Sequence, residues 1–290
     1  MDIKYFERHF ICPACKGRVR LEGERFTCLA DGGHTYEIEK GVPILLERAE
    51  YERFRREAGG TTLMKREYTG GFFPAAIKIV KKLIGSTLHL PVSRNVRDTW
   101  EAYRDEPSLE IGSGTTKRMS GMQVNLDIGV FKNVDIAASA SSIPFADGTF
   151  RLVRDIALLE HVSDPELVVK EIFRVLKPGG YAYTEVPFLQ HYHAYPADFR
   201  RYTMQGLKEL FKGFEIVETG ICEGPGSALT AMAADWFELF SFSKNRFIND
   251  IFRVIPLVML LPVKFLDFIL VKNPRAHEAA SGIYALCKKP

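Results

Sequence analysis

Between Ser108 and Gly129 the chain reads SLEIGSGTTKRMSGMQVNLDIG, and this stretch limits the possible folds more than any other. A short apolar run ends in Gly112-Ser113-Gly114, and a second run, QVNLDI, carries Asp127. Glycines directly after an apolar run mark a strand ending in a tight turn against a ligand, and an acidic residue closing the next strand is placed to accept hydrogen bonds from ribose hydroxyls. The ordinary nucleotide-binding unit puts a helix between the two strands, with the acidic residue about 20 positions beyond the glycines. Here there is room for a helical turn or two at most. Lys117 stands where G-x-G-x-x-G wants its third glycine.

The segments that follow alternate in type. SLEIG, QVNLDI, FRLVRDIAL, YAYTEVPF and FEIVETGI read as strands. DPELVVKEIFRVLK reads as a helix with Asp164 as N-cap and Pro165 at its first position, and MQGLKELFKGF as another introduced by Thr203. Such alternation predicts a mostly parallel sheet with its ligand at the carboxyl ends of the strands. GIYALCKK is expected to complete that sheet as an antiparallel member.

Glu110 at the mouth of the turn would repel a pyrophosphate and favour a ligand carrying positive charge. S-Adenosylmethionine, with an ammonium and a sulfonium centre, has that property. Four segments in order resemble the class I S-adenosylmethionine-dependent methyltransferases of the type 11-like group. They are Glu110-Ile111-Gly112-Ser113-Gly114, the run from Ser142 to Phe150, Leu159-Glu160-His161-Val162, and Leu176-Lys177-Pro178-Gly179-Gly180. The resemblance implies an α/β fold, a Rossmann-like seven-stranded methyltransferase sheet. It implies cofactor contacts from Glu110, Gly112, Ser113 and Gly114 in the turn and from Asp127 and Ile128 after the second strand. Further contacts are implied for Ser139, Ala140 and Asp155. Ser139-Ala140 stands where family members often have Asp before a small residue, and Arg151 follows Phe150 where they often have Asp. A subgroup with a short first connection has a similar basic turn, so Lys117 or Arg118 would close over the cofactor carboxylate.

Cys12 and Cys15 form a C-x2-C knuckle, with Cys28 and His34 following. Thiolates and an imidazole in this number suit tetrahedral Zn²⁺ and leave no open catalytic position. RVRLEGERFTC between them reads as a hairpin turning at Gly23. So small a unit has almost no core of its own, and metal would supply much of its folding free energy. The stretch resembles the zinc ribbon of the tRNA-methyltransferase activator family, including the run Tyr36, Ile38, Gly41, Pro43 and Leu45. Gly32 replaces that family's usual fourth cysteine, so His34 is the candidate fourth ligand, and three free cysteines in a metal-free hairpin are the alternative. The expected organisation is a zinc ribbon over 1–47, a helical connector over 48–106, and a methyltransferase domain over 107–290 with a helical C-terminal insertion at about 224–275. ERFRREAGGTTLMKREY in the connector reads as exposed, and FFPAAIKIVKKLIG as a basic amphipathic helix suited to an anionic surface or to packing on the main domain.

The acceptor belongs beside the loop after the fifth strand, Pro187 to Tyr202. A hydroxyl acceptor needs a base near neutral pKa, which makes His191, His193 and His161 the catalytic candidates, each equally readable as a hydrogen-bonded structural histidine. Arg200 and Arg201 would hold an acceptor carboxylate or phosphate, or be solvated. This loop, Gly224 to Leu229 and the ending His277 to Tyr284 resemble methyltransferases of surface-glycan or lipid-linked glycan synthesis. The expected partner is therefore a small-molecule or lipid-linked glycan acceptor. The apolar run in FINDIFRVIPLVMLLPVKFLDFILVK is too short to span a bilayer. It reads as an acceptor-pocket lid, an oligomer contact or an in-plane membrane anchor.

A net charge of +3 is too weak to argue for nucleic acid. An RNA methyltransferase docking through the ribbon and a non-catalytic partner-binding protein stand as rival functions. The charged start and the cysteine distribution point to a cytoplasmic protein, peripheral on the inner membrane face if the tail is an anchor.

Overall fold

A computed structural model describes residues 6–30, 33–60, 87–243 and 245–290. The basic amphipathic helix expected at FFPAAIKIVKKLIG and the Gly70–Gly71 pair lie outside these residues.

Among the described residues, eleven strands form two sheets. The small N-terminal sheet runs β1 (Val19–Glu22), β2 (Arg25–Cys28), β3 (Thr35–Glu39) and β4 (Val42–Pro43), all antiparallel. The large sheet contains β5 (Ser108–Ile111), β6 (Gln123–Asp127), β7 (Ile136–Ala137), β8 (Phe150–Ile156), β9 (Leu176–Pro187), β10 (Glu215–Glu223) and β11 (Gly282–Lys288), in the order β10-β11-β9-β8-β5-β6-β7. Its ladders from β7 to β9 are parallel, and β11 lies antiparallel between β9 and β10. The alternating pattern predicts the mostly parallel α/β sheet, and the seven strands agree with what the methyltransferase resemblance implies.

Two helical layers cover the sheet. Helix α1 (Arg48–Gly60) follows the small sheet, and α2 (Arg94–Ala102) lies on one face of the large sheet, where Val96 and Trp100 meet Tyr183, Tyr284 and Leu286. The other face receives α3 (Pro165–Val175) and α4 (Met204–Leu210) through Val168, Ile172, Val175 and Leu207. Both helices start where side-chain oxygens replace missing backbone partners. Asp164 accepts from Leu167 N at 3.2 Å, and Thr203 from Gly206 N at 3.1 Å. The C-terminal insertion forms α5 (Pro225–Glu238), α6 (Arg246–Met259), α7 (Leu261–Phe265) and α8 (Asp267–Leu270). Asp267 is fully buried and caps α5 from a distance in sequence, accepting from Gly226 N (2.6 Å) and Ser227 N (2.9 Å). No helix among the described residues is long and apolar enough to cross a membrane.

The small sheet shares its core with the large one, contrary to the expectation of an almost coreless unit. Phe10 stacks edge-on against Phe26 of β2 (5.6 Å) and against Phe145 (5.2 Å), and Phe145 meets Phe150 of β8 at 4.9 Å. Leu45 N donates to Ala137 O at 2.8 Å, which fastens the chain beyond β4 to the outermost strand of the large sheet.

The short β5–β6 connection holds no helix at all. Polar side chains on β6 do what a helix would do for its own backbone. Gln123 and Asn125 are buried. Asn125 Nδ2 donates to Thr116 O (2.8 Å) and Asn133 O (3.2 Å), while Gln123 Oε1 accepts from Met119 N at 2.9 Å. Replacing Asn125 by Ala leaves those carbonyls without a protein partner, at a cost of about 2 kcal/mol. The expected outcome is a melting temperature lowered by roughly 4–8 °C, read by calorimetry; an unchanged transition would show that the network does not hold the turn.

Candidate functional site

At the carboxyl ends of β5, β6 and β8 lies a cleft of about 260 Å³. Its floor is the glycine turn. Gly112 and Gly114 sit at φ +65° and +51°, a region that disfavours side chains. A Cβ on Gly112 would meet Leu158 at 2.9 Å, whereas one on Gly114 would meet nothing within 4 Å. The space beside Gly114 is therefore open. Asp127 holds this turn: its Oδ2 accepts from Gly114 N at 2.8 Å and its Oδ1 from Gly129 N at 3.0 Å. Burial raises the Asp127 carboxyl above its ordinary range, and these N–H groups oppose that rise. Ile128, Ser139 and Ala140 complete the wall, with the Ser139 hydroxyl making no cap bond to the short helix Ala140–Ser142.

Glu110 is not at this cleft. Strand alternation puts Leu109 and Ile111 into the α3-side core, and Glu110 onto the opposite face, in register with Arg154 of β8. Arg154 Nη2 lies 2.5 Å from Glu110 Oε2, both side chains are buried, and the Arg154 guanidinium covers the Trp100 ring at 4.9 Å. Burial pushes the Glu110 carboxyl up to about 7 against the pull of Arg154. The expectation that Glu110 faces a cationic ligand at the mouth of the turn is therefore corrected: an internal guanidinium takes that carboxylate. Asp155 is likewise buried away from the cleft lining, accepting from Thr184 Oγ1 at 2.8 Å, and burial with neighbouring carboxylates raises it well above the usual range. Ser113 is buried behind the turn and Lys117 is exposed outside the lining. Arg118 is committed to an ion pair with Asp135.

The cleft has a wall that the sequence reading missed. Glu50, Arg53, Phe54 and Glu57 of α1 line it, as do Tyr195 and Pro196 from the acceptor loop. Phe54 is buried, and a Cβ on Gly129 would come within 2.9 Å of its ring. Charges dominate ERFRRE, which is why the sequence alone predicts exposure there. The single aromatic at helical spacing from Tyr51 was the available signal.

Of the three histidines, His161 lines the cleft, and His191 and His193 do not. His191 Nδ1 lies 3.1 Å from Asp235 Oδ2, and burial lowers its pKa. His193 is raised, first by Glu160. Arg200 and Arg201 brace the loop rather than offering themselves to an anion. Arg200 donates to Val162 O and Ser163 O (both 2.9 Å), and Arg201 to Asp198 and to His191 O.

The N-terminal sheet brings Cys12, Cys15, Cys28 and His34 together, with their ligand atoms all within 4.8 Å of one another. Cys15 Sγ and Cys28 Sγ are 3.4 Å apart, and Cys12 Sγ lies 3.7 Å from His34 Nδ1. Tetrahedral Zn–S bonds of ~2.3 Å set sulfur–sulfur edges of about 3.8 Å, so the four groups fit such an ion with small adjustments.

Residues 109–184 match the family described as "Methyltransferase domain". Curated relatives match over a shorter piece. The ubiquinone/menaquinone biosynthesis C-methyltransferase UbiE of Klebsiella pneumoniae (strain 342) is 42% identical over 55 residues, covering 19% of this chain and 22% of that protein. This chain thus spans about a fifth of the length of the curated relatives it matches. Among solved structures it is similar to phosphoethanolamine N-methyltransferase 2 of Haemonchus contortus in complex with S-adenosyl-L-methionine, at 17% identity and a TM-score of 0.42, over 80% of this chain and 61% of that one. It is also similar to a SAM-dependent methyltransferase of Methanosarcina mazei, at 15% identity and a TM-score of 0.40, over 69% of this chain and 99% of that one. The span matching the methyltransferase domain runs from within β5 into β9 and so contains the glycine turn, Asp127, Ser139 and His161.

Proposed function

We propose that this chain is an S-adenosylmethionine-dependent methyltransferase that methylates an oxygen of a glycan or lipid-linked small-molecule intermediate, with Zn²⁺ held by Cys12, Cys15, Cys28 and His34. The observation that carries the cofactor reading is the cleft over the glycine turn, inside the span that matches a methyltransferase domain. When bound, the cofactor supplies a sulfonium methyl group for in-line displacement. The Asp127 carboxylate accepts from Gly114 N and Gly129 N and keeps lone-pair capacity for a ribose hydroxyl. In this reading the Ser139 hydroxyl, on the cleft wall, meets the adenine edge. Among the described residues, Glu50, Glu57 and Asp127 set three carboxylates around the cleft against the guanidinium of Arg53, so residues other than Glu110 supply a preference for a cation. An oxygen acceptor gives up its proton on transfer, and His161 is the histidine on the cleft wall.

Support for a lipid-linked acceptor comes from the outer helices. Leu239 and Phe242, just after α5, are 74% and 96% exposed, Met259 of α6 is 71% exposed, and Trp236, Phe240 and Ile269 are exposed as well. Apolar exposure on this scale marks an interaction surface, and a peripheral place on the inner membrane face belongs to the same proposal.

Calorimetric titration of the full chain with S-adenosylmethionine is expected to show one binding site. Asp127→Asn should weaken it about tenfold, a loss of ~1.4 kcal/mol. Glu110→Gln should leave affinity within about twofold while costing about 3 kcal/mol of stability, because Arg154 loses its buried counter-charge. Absence of binding by the folded wild-type chain would overturn the enzyme reading. For the acceptor, the wild-type chain is expected to co-sediment with phosphatidylglycerol–phosphatidylethanolamine vesicles and Leu239→Ser/Phe242→Ser to remain in the supernatant. A wild-type chain that ignores the vesicles would remove the membrane-face part of the proposal.

A further inference from the structure

Glu160 is completely buried, and neither of its carboxylate oxygens has a hydrogen-bond partner. It lies on the short helix Leu159–His161, fixed by Phe199 N donating to Glu160 O at 2.8 Å and by Tyr202 Oη donating to Leu159 O at 3.0 Å. An isolated carboxylate held dry costs several kcal/mol unless a cation or donors compensate it. Two imidazole nitrogens face it. His161 Nε2 lies 3.8 Å and His193 Nε2 3.6 Å from Glu160 Oε1, both beyond hydrogen-bond reach.

The opposite ring nitrogens explain this arrangement. His161 Nδ1 is 2.7 Å from Ala197 O, and His193 Nδ1 is 2.9 Å from His191 O. A carbonyl oxygen only accepts, so each Nδ1 carries a hydrogen, His193 Nδ1 also lying 3.3 Å from Arg201 Nη2, and each Nε2 faces Glu160, as a lone pair wherever the ring is neutral. Two lone pairs and a carboxylate facing one another repel unless a cation lies between them. An Nδ1–H held by a carbonyl while Nε2 points inward is how metal-ligating histidines are oriented. The three ligand atoms lie within 4.8 Å of one another. Arg201, the nearby guanidinium, is occupied by Asp198 and by the His191 carbonyl, and Asp198 also accepts from His193 N at 2.7 Å. The loop is thus braced around the histidines without any of these groups reaching Glu160.

We propose that Glu160, His161 and His193 hold a divalent transition-metal ion, separate from the cysteine site, with its remaining positions open on the His161 side toward the cleft. Two imidazoles and one carboxylate suit zinc-type ions with an open position. An oxygen ligand there, water or an acceptor hydroxyl, would have its pKa lowered by the ion. His161 and His193 then serve as ligands rather than bases. This substrate-side role rests on the methyl-transfer reading; metal binding does not.

The test uses the full chain, stripped of metal by chelation and titrated with Zn²⁺, with uptake counted by mass spectrometry. Wild type should take up one equivalent more than His161→Gln/His193→Gln, and Cys12→Ser/Cys28→Ser should lose a different equivalent. Equal uptake by wild type and the histidine variant would overturn the proposal. Should that variant fail to fold, wild type alone decides through Co²⁺. One equivalent should show thiolate-to-cobalt charge transfer, and a second should add ligand-field absorption without it. Cobalt confined to the thiolate signature would overturn the proposal, with imidazolium pairing to Glu160 as the alternative. S-Adenosylmethionine binding measured on the same samples separates failure of the metal site from failure of the enzyme reading.

Discussion

Asp127 joins the two glycines on which the cleft depends. Its carboxylate binds Gly114 N on one side and Gly129 N on the other, so the turn after β5 and the chain leaving β6 move as one piece. In a nucleotide-binding unit of ordinary length, a helix between those strands would orient the turn through its own N-terminus. This chain lacks that helix and secures the turn by side chains instead, with Asn125 and Gln123 behind it and Asp127 in front. The compensation is local and polar, which explains why buried amides and a buried carboxylate lie on one five-residue strand. It also leaves Gly114 facing open space at the point where a ligand can reach backbone.

Two buried carboxylates show how partners separate internal structure from candidate chemistry. Glu110 faces Arg154 across the β5–β8 ladder, with Trp100 over the guanidinium, and the charges are matched within the fold. Glu160 is as deeply buried, yet its carboxylate oxygens have no hydrogen-bond partner, and two histidines held through Nδ1 by carbonyls turn Nε2 toward it from just beyond bonding distance. Low local dielectric makes an unmatched charge costly. Buried acids of equal depth therefore differ in meaning: the compensated one maintains the sheet, and the uncompensated one marks a place for a ligand.

The N-terminal sheet and the large sheet are joined by the aromatic contacts from Phe26 through Phe10 and Phe145 to Phe150. The cysteine site thus lies on a body anchored to the domain by apolar burial. The same attachment positions α1, which follows directly after β4 and supplies a wall of the cleft. Helices α5 to α8 turn a largely apolar surface outward. Only their inner side is held by polar contacts such as the Asp267 cap.

Local chemistry was legible in the chain itself. Apolar alternation marked the strands, Asp164-Pro165 and Thr203 marked helix starts, and the spacing of Cys12, Cys15, Cys28 and His34 foretold a cluster of ligand atoms, because each of these depends on neighbours near in sequence. The glycine turn and Asp127 were readable for the same reason. The face onto which Glu110 points was not, since a strand's two faces are equivalent until register and the layer above each face are known. Nor was the convergence of α1, the acceptor loop and the Leu159–His161 turn, whose residues meet only through long-range packing. Sequence by itself therefore determined the strand–helix order, the turn and the ligand-type cysteines. Tertiary structure alone decided which carboxylates are matched, which histidines converge and what lines the cleft, because burial and charge pairing depend on distances that the chain sets only when folded.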